Sequence, residues 1–160
     1  MKPMKIVLAV DGSACSEAAV EEVARRPWPD DTSLRVVSAV EPPAPLAAEP
    51  HLLAGGYFEE VERLKREAAE GVLRRAAARI VEGDGGRALN VTTAVLKGSP
   101  RRAVVEDAEG WGADLIVVGS HGLRTWERML LGSVSQTVAA HARCSVEIVR
   151  CREEEEGRKG

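Results

Sequence analysis

The chain has 160 residues, 44% of them hydrophobic but only 3% aromatic, and a formal net charge of −3. That size suits a single domain with an aliphatic core, and the slight acidity leaves no electrostatic footprint for nucleic acid. No apolar run approaches the roughly 20 residues of a membrane span. Asp11 cuts the N-terminal apolar run too early for a signal peptide, with no small-residue cleavage site behind it, so a cytoplasmic protein is expected.

In chain order, Lys5–Val10 (KIVLAV) reads as a buried strand closed by Asp11-Gly12-Ser13. Ser13 or Ser16 caps a helix running to about Arg26, with Glu17 in its first turn, and Pro27 and Pro29 stop it. Leu34–Val40 (LRVVSAV) is a second strand. EPPAPLAAEPHLLAGG follows, too rich in proline and glycine for a regular element, and reads as a long loop. From Tyr57 to Glu82 the apolar positions Phe58, Val61, Leu64, Ala68, Val72, Ala76 and Ile80 recur at helical spacing. Glu59/Arg63, Glu62/Arg66 and Glu70/Arg74 place acid before base at i,i+4 on its outer face. GDGG (83–86) ends that helix.

Asn90–Leu96 is strand three. Ser99 then caps a helix with Pro100 at its first position, where a missing N–H costs nothing, and the helix ends near Gly110–Gly112. Asp114–Val118 is strand four, Ser133–His141 the fourth helix and Ser145–Cys151 strand five; the acidic EEEEGRKG (153–160) is a solvated tail outside the domain 1–152. Five strands alternating with four helices predict an α/β, doubly wound, mainly parallel sheet covered by helices on both faces.

Three cysteines, Cys15, Cys144 and Cys151, make an odd count without CxxC spacing. Cys144 and Cys151 bracket one strand and stand roughly 23 Å apart, too far to bridge. Cys15 is either a small apolar side chain packed at a helix start or a reactive thiol there. His51, His121 and His141 are scattered without a zinc pattern, and no protein metal site is expected.

The chain leaves strand four through GSHGLRTWERMLLGSVSQ (119–136). In open α/β sheets ligands settle at the carboxyl ends of the strands, where the winding reverses. If strands one and four are neighbours, Asp11 faces this loop. Gly119 and Gly122 can adopt positive φ and bare backbone N–H groups to an anion. Gly132-Ser133 opens a helix whose first N–H groups and dipole favour negative charge, and Ser133 adds a hydroxyl, with Ser135 nearby. Arg124 and Arg128 offer positive charge. The same residues also fit a plain turn followed by an ordinary helix cap. The stretch is not a Walker loop, because no lysine stands beside Gly132.

Gly119-x2-Gly122-x9-Gly132-Ser133 matches the G-x2-G-x9-G-[ST] signature of the ATP-binding universal stress proteins. KIVLAVDGS, GSPRRAVVEDAEGWGADLIVVGSHG and HARCSVEIVR also resemble that family, and the resemblance covers Met4–Arg150. It implies a five-stranded, Rossmann-like sheet of order 3-2-1-4-5 that binds ATP, often with Mg²⁺ or Mn²⁺ held mainly by the phosphates. It also implies a homodimer through strand five, Ser145–Cys151. By motif, Asp11 would contact the ribose and the main chain of Val40 the adenine. Gly119, Gly122, Gly132 and Ser133 would hold phosphates, with Ser120, Val134 and Ser135 beside them. Ser145 stands where the family commonly has a proline, and the bulky Trp126 lies within the loop, either stacked on the ligand or packed inward.

The implied role is a nucleotide-dependent stress-response or signalling module. Two alternatives stand beside it: a slow ATPase or self-phosphorylating protein with serines 13, 120, 133 and 135 as acceptors, and a dimeric interaction protein without nucleotide. The long helix after the proline loop is a candidate lid.

Overall fold

The aliphatic runs all enter one sheet. The computed structural model describes residues 3–43, 55–123 and 130–151. In order these form β1 (Lys5–Ala9), α1 (Ala14–Arg25), β2 (Thr32–Val40), α2 (Tyr57–Glu82), β3 (Leu89–Lys97), α3 (Pro100–Trp111), β4 (Leu115–Gly119), α4 (Ser133–His141) and β5 (Ser145–Val149). The strand order is β3-β2-β1-β4-β5, and all four pairings are parallel. Arg124, Trp126, Arg128, the segment 44–54 and the acidic tail, each given a reading above, lie outside the described residues.

Side chains alternate across a strand, so a strand buried on both faces needs an unbroken apolar run. Ile6 and Leu8 of β1 join one core with Ala19, Val20 and Val23 of α1 and Leu73, Ala76 and Ile80 of α2. Val7, between them, faces the opposite core with Val104 and Ala108 of α3 and Val138 of α4. Helices α1 and α2 therefore cover one face and α3 and α4 the other. The edge strands β3 and β5 are only partly covered.

Ser13 is the N-cap of α1, its Oγ accepting the Ser16 N–H. Ser99 occupies the cap position of α3 with Pro100 behind it, but its hydroxyl makes no capping bond. Two features of α2 differ from the periodicity reading. Its buried stripe is Ala69, Leu73, Ala76 and Ile80, whereas Leu64 is 51% exposed and Ala68 is also exposed. The reason is length: 26 residues rise about 39 Å, while the nine residues of β2 span about 30 Å. The first turns of α2 consequently overhang the carboxyl edge of the sheet. On its outer face Arg63 bridges Glu60 and Glu67, and Glu62 reaches Lys97 of β3, in place of the spacing expected from sequence.

The cysteine reading is corrected as well. Cys15, buried in the first turn of α1, is disulfide-bonded to Cys151, with Cα atoms 4.6 Å apart across 136 residues of sequence. Strand order brings them together: the end of β5 lies beside β4, and β4 runs under α1.

Charged side chains fasten helices to strands. The Arg35 guanidinium on β2 donates to both carboxylate oxygens of Asp107 on α3, at 2.8 and 2.9 Å. At the end of α1, Arg26 donates to both oxygens of Glu147 on β5 at 2.7 Å and to Glu22 at 2.8 Å. The Arg26 bond, helped by Arg25, holds the Glu22 carboxyl below its ordinary value of 4.5. A carboxyl lowered on folding stabilises the protein above its unfolded pKa, and that contribution disappears as pH falls through the folded value. Wild type is therefore expected to melt above Glu22→Gln at neutral pH, and the gap should close as pH drops below 4.5. Thermal melts of both proteins across that range check this; a gap that persists into acid contradicts the assignment.

Candidate functional site

The order of strands places a switch point between β1 and β4: from β1 the chain winds outward to β2 and β3, then returns to lay β4 on the other side. The two strands that carried the unusual ends in sequence are hydrogen-bonded neighbours, with Ala9 opposite Val118. Asp11 follows one and the glycine loop follows the other.

The turn after β1 uses Gly12 at φ +81°, a conformation in which a Cβ is strained. Asp11 sits at its front and is exposed. Its Oδ1 accepts the Ser13 N–H at 2.9 Å and its Oδ2 accepts the Leu123 N–H at 3.3 Å, so the carboxylate ties the β1 turn to the glycine loop.

Gly119 and Gly122 do not use the positive φ that glycine allows them. Their lack of a side chain serves close approach instead. A Cβ on Gly119 would lie 2.6 Å from the carbonyl carbon of Cys15 and 2.8 Å from the Ser16 nitrogen. On Gly122 it would meet Asp11 Oδ2 at 2.8 Å, and on Gly132 it would press on the backbone of Ser120 and His121 at 3.2 Å.

The loop is closed by its own backbone. Ser120 donates its N–H to Val149 O at 2.8 Å, and its carbonyl accepts the Gly132 N–H at 2.7 Å and the Ser135 hydroxyl at 3.0 Å. Gly132 is the N-cap of α4 and has no side chain to offer. The first intrahelical bond runs from Gln136 N–H to Gly132 O, so the N–H groups of Ser133, Val134 and Ser135 precede the helix ladder. Ser133, at the tip, is exposed.

This tip opens on a cavity of about 580 Å³, a size suited to a small organic ligand. Asp11, Val40, Gly119, Gly122, Gly132, Ser133, Val134 and Ser135 all contribute to its wall. Ser120 does not: it is 2% exposed, and its hydroxyl lies against Cys15 Sγ at 3.6 Å and His121 Nδ1 at 3.0 Å, beneath the loop. Ser135 is buried and spends its hydroxyl on the carbonyls of Ser120 and Gly132, which makes it a brace for the loop. The Val40 carbonyl accepts the Gly98 N–H at 2.9 Å, fixing the end of β2 beside the turn into α3.

Sequence reasoning missed Lys65 and Arg101 on the same wall. Lys65 comes from the overhanging part of α2 and donates to the Glu41 carbonyl at 3.3 Å. Nothing local marks either residue, because only the overhang of α2 and the start of α3 bring them to the carboxyl edge. Both ring nitrogens of His121 are engaged, with Ser120 Oγ and the Leu130 carbonyl.

Residues 3–150 match the model of the universal stress protein family. A universal stress protein of Thermus aquaticus is 36% identical over 145 residues, covering 91% of this chain and 97% of its own. A universal stress protein from Lactobacillus plantarum superposes with a TM-score of 0.75 at 23% identity, over 94% of this chain and 99% of its own. Another universal stress protein, solved in complex with cAMP, gives a TM-score of 0.63 at 28% identity, over 93% and 98% of the two chains.

Two kinds of glycine environment separate in a pair of substitutions. Gly119→Ala drives a methyl into helix backbone and is expected to cost about 1–3 kcal/mol. Gly110→Ala, in α3 with open space around it, is expected to stabilise by about 0.5–1 kcal/mol. Urea unfolding of the two variants checks the contrast; equal effects would show that the close approach at Gly119 is not a constraint.

Proposed function

The chain belongs to the universal stress protein family, and from that premise we propose that it binds an adenine nucleotide, ATP foremost, as a stress-response module. One observation carries the reading. The first turn of α4, whose cap residue has no side chain, opens on the same 580 Å³ cavity that Asp11 and Val40 border.

The residues fit the group. The helix tip offers Ser133 and Val134 N–H groups and the Ser133 hydroxyl to phosphate oxygens, where the dipole favours negative charge. Gly122 lines the same cavity and would meet a phosphate through its backbone N–H. Asp11 lies where the ribose hydroxyls would sit, and the main chain at Val40 where the adenine edge would. Lys65 and Arg101 add positive charge to the wall. A relative solved with cAMP supports the adenine class. Mg²⁺ or Mn²⁺ would be carried mainly by the phosphates, beside Asp11; among the described residues no three His, Cys, Asp or Glu side chains come together.

The outer edge of β5 is the proposed homodimer surface, and the protein is proposed to work in the cytoplasm. Among the described residues no helix is long and apolar enough to cross a membrane. Hydrolysis and self-phosphorylation stay behind simple binding, since the crevice imidazole of His121 already has partners at both nitrogens.

Ser133→Asp tests the reading. A carboxylate at the first position of α4 satisfies the helix dipole and stabilises the free protein by about 0.3–1 kcal/mol. It also takes the place of a phosphate, so ATP affinity should fall at least about tenfold, a loss of 1.4 kcal/mol or more. Melting curves with and without Mg-ATP read both effects, because a ligand that binds only the native state must raise its stability. Unchanged ATP stabilisation in Ser133→Asp, or an equal shift of wild type by adenosine alone, would overturn phosphate binding at the tip.

A further inference from the structure

Cys15 and Cys151 stand directly behind the glycine loop. Cys15 is the second residue of α1, the turn against which Gly119 packs, and its sulfur accepts from the Ser120 hydroxyl at 3.6 Å. Cys151 follows β5 by two residues, and Val149 at the end of β5 holds the Ser120 N–H. Ser13, the N-cap of α1 two residues before Cys15, donates its hydroxyl to the His121 carbonyl at 3.3 Å. The disulfide thus closes a ring of contacts through α1, the loop after β4, and β5.

We propose that Cys15 and Cys151 are a reversible redox pair whose oxidation locks the glycine loop and tightens the nucleotide crevice in front of it. The affinity half rests on the nucleotide reading given above. The pairing does not depend on it.

The chemistry requires an oxidant of the peroxide class. Cys151 is partly exposed whereas Cys15 is 4% exposed, so Cys151 is the thiol that meets it. The Cys151 thiolate attacks one peroxide oxygen, the O–O bond breaks, and hydroxide leaves and takes a proton to become water. The resulting sulfenic acid is attacked by the Cys15 sulfur, which displaces the sulfenic oxygen as a second water and forms the S–S bond. Two thiols and one hydrogen peroxide give one disulfide and two waters. A small dithiol returns the pair to thiols by exchange and is itself oxidised to a disulfide. Cys144 is the bystander: burial holds its thiol above the usual range, and it is free.

In the reduced protein the end of β5 is tied to α1 only by non-covalent contacts. The loop loses one of its two anchors' covalent bracing, and a less pre-organised site binds more weakly. The oxidised protein is expected to bind ATP at least about fivefold more tightly, the lower end of ordinary coupling between sites. Amide exchange at Ser120 and Gly132, whose N–H groups close the loop, should slow by a similar factor without any nucleotide present.

The test uses the full chain, reduced with dithiothreitol or treated with stoichiometric hydrogen peroxide, beside Cys151→Ser. Thiol titration should fall from three to one with monomeric mass lower by about 2 Da, and a peptide map should join Cys15 to Cys151. Exchange and ATP affinity should respond to peroxide in wild type and not in Cys151→Ser. Three titratable thiols after peroxide, a bridge to Cys144, a disulfide that leaves exchange unchanged, or equal ATP affinity in both states overturns the proposal. ATP bound in neither state, with exchange still slowed by oxidation, sinks the nucleotide reading and leaves the redox lock standing.

Discussion

The backbone of Gly119 lies against the first turn of α1 with no room for a Cβ, and the carboxyl edge of the sheet is arranged around that contact. It brings the exit of β4 under the Ser13 cap, where Ser13 reaches the His121 carbonyl and Asp11 reaches the Leu123 N–H. Those bonds fix the course of the loop's first residues, Ser120 to Leu123. The path in turn lets the Ser120 carbonyl receive Gly132 and Ser135 and so aims the tip of α4 at the crevice. A methyl at one position would propagate through three elements, because packed backbone has nowhere to give.

The crevice sorts its chemistry by direction. Its floor is the strand ends, apolar up to Val118 and Val40; its anion-seeking end is the bare tip of α4, and of its acids Asp11 is held in place by the Ser13 and Leu123 N–H groups. Lys65 and Arg101 stand on walls contributed by α2 and α3. A ligand with an apolar, hydrogen-bonding ring, hydroxyls and a string of anionic groups satisfies all of these at once. That is the physical basis of the adenine nucleotide site proposed above. The Arg35–Asp107 and Arg26–Glu147 pairs lie away from the crevice and hold the layers on which it depends.

Much of this was readable in the sequence. KIVLAV and LIVVG, short and rich in β-branched residues, read as strands buried on two faces, and Pro100, Ser13 and Gly132 mark helix starts through local backbone chemistry that needs no tertiary knowledge. The switch point followed once β1 and β4 were taken as neighbours. What stayed hidden depends on contacts far apart in the chain. The phase of α2 was blurred because alanines mark its stripe weakly, and because Leu64 sits on turns that pass the end of the sheet. Sequence shows that Gly119 lacks a side chain but not whether φ or a neighbour demands it; the neighbour is Cys15, 104 positions back. The same distance hid the inward turn of Ser120 and the partner of Cys15, which only the β4–β5 pairing supplies.

Titrating isotope-labelled protein with Mg-ATP and following backbone amide resonances tests the central claim most directly. The account predicts that Gly122, Ser133 and Val134 shift together and saturate with one affinity, accompanied by Val40 at the opposite end of the crevice. Shifts that leave those amides untouched, or that cluster on another surface, would contradict it.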